Sequence, residues 1–211
     1  MKVYETKEIK NISLLGSKGS GKTTLAEAML YECGVIKRRG TVEAGNTVCD
    51  YFPVEKEYGY SVFSTVLYAE FLNKKLNVID CPGADDFVGN AITALNVTDT
   101  GVILIDGQYG VEVGTQNIFR TTEKLNKPVI FAVNQLDGEK ADFDNVIGQM
   151  KEIFGPRVVQ IQFPVNCGAG FNSMVDVLLM KLYTWGPDGG VPTISEIPAE
   201  LMDKAKELNQ I

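Results

Sequence analysis

The sequence predicts an α/β fold in which a doubly wound, mostly parallel sheet is flanked by helices. Short apolar runs suited to buried strands alternate with longer segments whose apolar residues recur with the period of a helix. Polar residues follow several of the runs directly, at the strand ends where sheets of this kind bind ligands. With 211 residues, 45% of them hydrophobic, the chain can bury a substantial core.

Apolar runs place the strands, and apolar periodicity places the helices. Strands are predicted at residues 12–15, 62–71, 76–79, 101–105, 129–133 and 158–163. One helix follows the first strand over residues 24–33, and another has Ile118, Thr122 and Leu125 on one face. The clearest helical stripe contains Phe143, Val146, Ile147, Met150, Ile153 and Phe154, and Gly155-Pro156 ends it.

Composition narrows the class of protein. No apolar run approaches the roughly 20 residues of a membrane span, and residues 1–11 lack the apolar core of a signal peptide. The four cysteines form no C-x-x-C pair and the chain has no histidine, which favours reduced thiols in a cytoplasmic protein. A net charge of −7 argues against a generally basic surface for binding nucleic acid. The basic triplet at residues 37–39 is either a local phosphate contact or a solvated charge run.

A glycine-rich loop stands between the first predicted strand and the helix after it. Residues 16–23 read Gly-Ser-Lys-Gly-Ser-Gly-Lys-Thr, the pattern of a phosphate-binding loop in a P-loop NTPase. Its glycines allow backbone N–H groups to converge on nucleotide phosphates, while Lys22 neutralises their charge. The predicted nucleotide-binding residues here are Gly16, Ser17, Lys18, Gly19, Ser20, Gly21, Lys22, Thr23 and Thr24. The alternative, a glycine-rich turn, does not explain the strand before and the helix after.

Three oxygen-bearing side chains are candidates for holding Mg²⁺. Thr23 completes the phosphate loop, and Asp80 ends the strand predicted at residues 76–79. Ser61 closes residues 40–61, a long polar stretch that we interpret as a nucleotide-sensing lid and call the lid below. Gly83, just after Asp80, would turn its N–H toward a terminal phosphate. An Asp that caps a turn is the alternative reading of Asp80.

Two further loops predict recognition of guanine. In Asn134-Gln135-Leu136-Asp137 the carboxylate can accept the N1–H and exocyclic N2–H of guanine, a donor pair that adenine lacks. The loop Asn166-Cys167-Gly168 can bring a backbone N–H to the guanine O6. Each signal is weak by itself, because Asn and Asp are common in turns. Their combination with the phosphate loop predicts GTP or GDP with Mg²⁺ as the ligands.

From about residue 11 to residue 185 the chain resembles the GTP-binding domain of translational GTPases, and elongation factor G most. The resemblance includes NISLLGSKGSGKTT, LNVIDCPGADDF and FAVNQLDGEKADF, and it extends into IPAEL. It implies a GTP-binding (G) domain at residues 1–185 and the start of an insertion subdomain in residues 186–211. The sequence pattern itself predicts a helix at residues 198–209. We expect the chain to be an excised fragment whose parent binds the ribosome with GTP and promotes movement of tRNA and mRNA.

The chain departs from the family pattern where hydrolysis takes place. The family has a water-positioning His where this chain has Ala84. The two residues of the family's hydrophobic gate are Lys18 and Tyr60 in this chain, and the Asp that helps the family to hold a monovalent cation is Gly19. The family's first-switch Thr is Ser61 here, and the Lys whose stem covers the base is Gln135. The residues for binding therefore remain, and those for activating water do not.

The departures predict a ribosome-dependent switch with weak or absent GTP hydrolysis and no catalytic residue at position 84. A rewired, active GTPase that uses Lys18, Tyr60 or Asp85 is the main alternative. A ribosome-protection protein of the tetracycline-resistance kind shares the same domain and is another. Asn134 and Asp137 disfavour an ATP-using kinase or transporter ATPase.

Overall fold

The computed structural model describes residues 3–187 and 189–210. The chain divides into two compact units. The first contains Met1–Asp106 and Val111–Asn134, and the second contains Gly107–Gly110 and Gln135–Ile211.

The first unit is built on a five-stranded sheet with the order β2-β3-β1-β4-β5. Its strands are β1 (Ile9–Leu15), β2 (Thr65–Phe71), β3 (Lys74–Asp80), β4 (Thr100–Asp106) and β5 (Val129–Asn134). Strand β1 runs parallel to both β3 and β4, and β4 runs parallel to β5. Only the edge strand β2 is antiparallel to its neighbour β3, among the described strands of this sheet. The predicted α/β class and mostly parallel sheet are confirmed.

The described residues of this unit form four α-helices: α1 (Lys22–Glu32), α2 (Pro53–Tyr58), α3 (Val88–Val97) and α4 (Val113–Lys124). Helix α3 was not predicted, although Ala91, Ala94 and Leu95 have helical spacing and are buried. Its small residues and its Gly89-Asn90 pair weaken the apolar pattern that the sequence prediction relied on. A helix is expected here because a parallel β3-to-β4 connection requires a crossover.

Strands β1 and β3 bury apolar side chains against α1. Leu14 and Val78 of the two strands form a cluster with Ala26 and Leu30 of the helix. All four side chains are at most 3% exposed. This packing fixes the start of α1 at the carboxyl end of β1, which is where the phosphate loop lies.

The second unit has a four-stranded antiparallel sheet with the order β6-β7-β8-β9. Its strands are β6 (Gln162–Pro164), β7 (Ser173–Asp176), β8 (Lys181–Gly186) and β9 (Gly189–Ser195). The prediction of a strand at residues 158–163 in the parallel sheet was wrong, because only its end is a strand and that strand pairs with β7. Pairing with a strand that follows nearby closes a shorter loop, which costs less chain entropy.

Helices α5 (Phe143–Phe154) and α6 (Ala199–Asn209) complete the second unit. Five residues of the predicted apolar stripe of α5 are buried, but Ile153 is 41% exposed, so its placement on the buried face was wrong. The Asp142 side chain caps the helix by accepting a hydrogen bond from the Asn145 N–H at 3.0 Å. The division at residue 185 stays a prediction, and strand β8 continues through Trp185 to Gly186. Across residues 3–187 and 189–210, no helix is both long and apolar enough to cross a membrane.

Candidate nucleotide and metal site

The phosphate loop joins β1 to α1, as predicted. Gly16, Gly19 and Gly21 have φ values of 133°, 84° and 91°, a region that residues with a Cβ rarely adopt. A Cβ at Gly16 would collide with the carbonyl of Leu104, and one at Gly21 would collide with the side chain of Asn134. Glycine is therefore required at both ends of the loop by its backbone and by its surroundings.

Lys22 is buried and its ammonium group lies inside the loop. The Nζ donates hydrogen bonds to the carbonyl oxygens of Gly16 at 3.0 Å and Ser17 at 2.8 Å. Burial lowers the pKa of Lys22, and the Asp80 carboxylate acts in the opposite direction. The Nζ also lies 3.5 Å from the Ser20 hydroxyl. A buried cation whose hydrogen bonds go to neutral oxygens is electrostatically undersatisfied, so it would gain from an anionic ligand.

Thr23, Ser61 and Asp80, the predicted metal set, lie together. The Thr23 hydroxyl donates to Asp80 Oδ2 at 2.7 Å, and it lies 3.2 Å from the Ser61 hydroxyl. Asp80 Oδ1 is buried and has no hydrogen-bond partner. Burial raises the pKa of Asp80 to about 6, against the effects of the Thr23 hydrogen bond and the Lys22 charge. An unpartnered buried carboxylate oxygen beside two hydroxyls is a donor set that suits Mg²⁺, which prefers oxygen ligands.

Asp50 belongs to the same cluster, and the sequence analysis missed it. Its Oδ1 accepts a 2.7 Å hydrogen bond from the Ser61 hydroxyl, and its side chain is 3% exposed. Nothing in the sequence separates Asp50 from the other acidic residues of the lid. The described residues contain no group of three or more His, Cys, Asp or Glu side chains placed for a metal. Carboxylates and hydroxyls thus make up the candidate site together, as is usual where phosphates supply the remaining Mg²⁺ ligands.

Two buried carboxylates hold the lid in place. Glu27 of α1 accepts hydrogen bonds from the backbone N–H of Gly40, at 2.8 Å, and of Val48. Glu55 of α2 accepts from the N–H groups of Val62 and Phe63 at 3.0 and 3.1 Å. Both side chains are 1% exposed. The lid is therefore an ordered segment with a helix of its own, fastened at both ends by charge-assisted hydrogen bonds.

Between the phosphate loop and the lid lies a cavity of about 220 Å³. Its lining includes Lys22, Thr23, Thr24, Ser61 and Gly83, together with Lys18, Gly19, Gly21, Val42, Glu43, Asp50, Gly59 and Tyr60. Gly83 approaches the phosphate loop so closely that a Cβ there would lie 2.8 Å from the backbone nitrogen of Lys18. The predicted loop, metal and second-switch residues thus meet in one place.

Ala84 lines a different cavity. It precedes a short 3-10 helix, Asp85–Phe87, and borders a space of about 270 Å³ together with Asp85 and Val88. Its methyl group has no atom that can orient water. Asp85, one of the residues considered for a rewired site, is exposed and lines this second cavity.

The remaining loop residues brace the site. The Asn134 Nδ2 donates a 2.9 Å hydrogen bond to the carbonyl of Ser20, so Asn134 supports the phosphate loop. The Ser17 hydroxyl lies 3.1 Å from the hydroxyl of Thr115 in α4. The sequence prediction placed Asn134 in the site without anticipating this supporting role.

The two loops predicted to recognise guanine lie together in the second unit. Gly168 has a φ of 87° and donates a 2.8 Å backbone hydrogen bond to the carbonyl of Leu136. That bond brings the loop of Asn166, Cys167 and Gly168 to the one containing Gln135 and Asp137. Asp137 and Asn166 are exposed, and Gln135 has a left-handed φ of 58°. The arrangement leaves an exposed carboxylate beside the second loop.

Comparisons with known proteins identify the family of this chain. Residues 7–205 match the family model of the elongation factor Tu GTP binding domain. The chain is 32% identical over 200 residues to an elongation factor G-like protein of Thermotoga maritima, an alignment that covers 95% of this chain and 28% of that protein.

A crystal structure of a protein from Thermus thermophilus superposes with a TM-score of 0.89 at 32% identity, covering 96% of this chain and 30% of that one. This chain therefore spans less than a third of the length of either relative. The glycine loop, the buried Lys22 and the family match together show that the chain belongs to the elongation factor Tu GTP-binding domain family, the G domains of translational GTPases.

Proposed function

We propose that this domain binds guanine nucleotide with Mg²⁺ and serves as the switch of an elongation factor G-like translation factor that acts on the ribosome in the cytoplasm, with weak or absent GTP hydrolysis. The observation that carries the proposal is that Lys22, Thr23 and Ser61 line one cavity, and that the Thr23 hydroxyl also donates a hydrogen bond to Asp80. This set supplies a buried cation for phosphates and hard oxygen ligands for Mg²⁺.

In the proposed complex the nucleotide phosphates occupy the loop of residues 16–23. Lys22 exchanges its bonds to two neutral carbonyls for bonds to phosphate oxygens, which are charge-assisted and stronger. Thr23, Ser61 and Asp80 would hold the Mg²⁺ ion, which neutralises phosphate charge when bound. The hydrogen bond from Ser61 to Asp50 orients the Ser61 hydroxyl and thereby couples the lid to the metal site.

Base recognition is assigned to the loops of the second unit. Asp137 would accept the two guanine donors, and the backbone of Asn166, Cys167 and Gly168 would face the guanine O6. Gln135 takes the place of the family's base-covering Lys. The exposed carboxylate of Asp137 supports this assignment, because it is free of the burial that would stop a ligand from reaching it.

Weak hydrolysis is proposed from Ala84 and its surroundings. A positioned acid–base group contributes about 10²–10⁴ in rate, and a methyl group cannot replace it. Ala84 lines the neighbouring cavity of about 270 Å³ and not the one that contains Lys22. The alternative of an active, rewired GTPase has support from Lys18 and Tyr60, which do line the cavity of Lys22.

The role of the whole protein rests on its relatives. One of them is named an elongation factor G-like protein, so we propose a ribosomal partner, movement of tRNA and mRNA, and no membrane or DNA partner. Residues 186–211 are proposed as the start of an insertion subdomain. A ribosome-protection protein of the tetracycline-resistance kind would share the domain, and drug release from ribosomes would distinguish it from translocation.

Calorimetric titration with GTP, GDP and ATP, with and without Mg²⁺, tests the binding part. We expect both guanine nucleotides to bind in a Mg²⁺-dependent manner and ATP to bind far more weakly. Equal affinity for ATP and GTP would overturn the assignment of the base loops. Single-turnover phosphate release on ribosomes, measured with the protein that contains this chain, tests hydrolysis. A rate equal to that of an ordinary elongation factor G would establish the rewired-site alternative.

A further inference from the structure

Lys18 and Tyr60 form a contact between the phosphate loop and the lid. The Lys18 ammonium lies 3.7 Å from the centroid of the Tyr60 ring, a cation–π distance. Lys18 is exposed, Tyr60 is half-buried, and both line the cavity of about 220 Å³ that also contains Lys22. A positively charged side chain therefore lies at the wall of this cavity without being part of its buried bonding network.

Neighbouring contacts place this pair next to the end of the cavity where a terminal phosphate would lie. Tyr60 precedes Ser61, whose hydroxyl contacts Thr23 and Asp50. The Lys18 backbone nitrogen faces Gly83, and a Cβ added at Gly83 would lie only 2.8 Å away from it. Tyr60 is therefore the chain neighbour of a metal-cluster residue, and the Lys18 backbone lies against Gly83.

We propose that Lys18 is a positioning residue that selects nucleoside triphosphate over diphosphate, with the Tyr60 ring as the place where its ammonium rests when no terminal phosphate is present. The proposal rests on the proposed function, since it assigns a role within the same nucleotide site. With a triphosphate bound, the ammonium leaves the ring and binds the terminal phosphate. With a diphosphate bound, it stays on the ring and fastens the lid to the loop.

Physical chemistry favours this exchange. A cation–π contact at an exposed site is weaker than a charge-assisted hydrogen bond to phosphate, so a terminal phosphate displaces the ring as the partner of the ammonium. The four-carbon stem of Lys lets the ammonium move while the loop backbone stays in place. Two acidic side chains, Asp50 and Glu43, also line the cavity. Asp50 is already bonded to Ser61 and Thr47, so Glu43 is the acidic side chain that would compete with phosphate for the Lys18 ammonium.

Calorimetry with Mg²⁺ and two probes, GDP and the non-hydrolysable analogue guanosine 5′-(β,γ-imido)triphosphate, tests the inference. Lys18→Met keeps the stem and removes the charge, so we expect the affinity for the analogue to fall about tenfold and that for GDP to change by less than about twofold. Lys18→Arg keeps the positive charge, so this variant should retain the preference for the triphosphate analogue over GDP. The matched control is Lys151→Met, which removes one positive charge from an exposed side chain in the last turn of α5.

A second variant tests the role of the ring. Tyr60→Leu removes the competing aromatic face, so we expect the ratio of analogue affinity to GDP affinity to rise by about two- to fivefold. In the double variant Lys18→Met/Tyr60→Leu the ratio should equal that of Lys18→Met alone, because the ring then has no cation to hold. A purely structural role for Tyr60 would change both affinities in parallel and leave the ratio unaltered.

The outcomes separate two failures. If the unaltered protein binds neither probe, the proposed function is wrong and this inference falls with it. If it binds both, and Lys18→Met weakens both equally or neither, the proposed function stands and the selective role of Lys18 is overturned.

Discussion

Asp80 carries an electrostatic cost that replacement by Asn should remove. The carboxylate is 1% exposed, and burial raises its pKa from 3.8 to about 6. A group whose pKa is raised by folding favours the folded state below its unfolded pKa, and this contribution is lost as the pH rises through the folded pKa. This rise in the pKa of Asp80 corresponds to roughly 3 kcal/mol.

The prediction concerns the difference in free energy of unfolding between Asp80→Asn and the unaltered protein. In EDTA without nucleotide, we expect this difference to shift in favour of the variant by roughly 2 kcal/mol between about pH 4 and pH 7, because only the unaltered protein must ionise a buried group. Urea unfolding at intervals of one pH unit measures it.

A difference for Asp80→Asn that stays constant from pH 4 to pH 7 would refute the reasoning, because it would mean that Asp80 titrates alike in both states. The same variant should also lose the Mg²⁺ dependence of nucleotide binding. If Asp80→Asn is more stable than the unaltered protein above pH 6 and its nucleotide binding no longer depends on Mg²⁺, then Asp80 serves ligand binding at a cost to the stability of the fold.

Three other substitutions give independent tests. Lys22→Ala should weaken GTP binding by about tenfold or more, since bonds to charged partners contribute roughly 1.5–3 kcal/mol, and unchanged calorimetric affinity in the folded variant would place the nucleotide elsewhere. Asp137→Asn should shift preference from guanine toward xanthine nucleotides, and a variant that keeps full guanine preference would exclude Asp137 from base recognition. Glu55→Gln should speed amide hydrogen exchange at Val62 and Phe63 by about tenfold or more, whereas the exposed Glu57→Gln should not; equal protection in both variants would show that Glu55 does not fasten the lid.

Much of the fold followed from local pattern. Buried parallel strands are continuous apolar runs, so β1, β4 and β5 were predicted to within a few residues. Helix α5 followed from its apolar stripe and from the Gly155-Pro156 stop. Helix α3 was missed because its buried residues are mostly small, and the strand at residues 158–163 was assigned to the wrong sheet because a short apolar run does not specify its partner.

The candidate site, like the fold, was predicted from the sequence only in part. The identities of Lys22, Thr23, Asp80 and Asp137 were readable from the sequence because each belongs to a spacing that its chemistry requires. The orphan oxygen of Asp80 and the inclusion of Asp50 were not, since both depend on which side chains meet across the lid and the loop.

By itself the sequence determined the fold class, the phosphate loop and the departures at Ala84, Lys18 and Tyr60, because backbone sterics and apolar periodicity act over a few neighbouring residues. Tertiary structure alone decided that Lys18 rests on Tyr60, that Glu27 and Glu55 fasten the lid, and that Asp80 is charged at a cost. These contacts join residues up to tens of positions apart, and their strength depends on burial, which only the packed chain supplies.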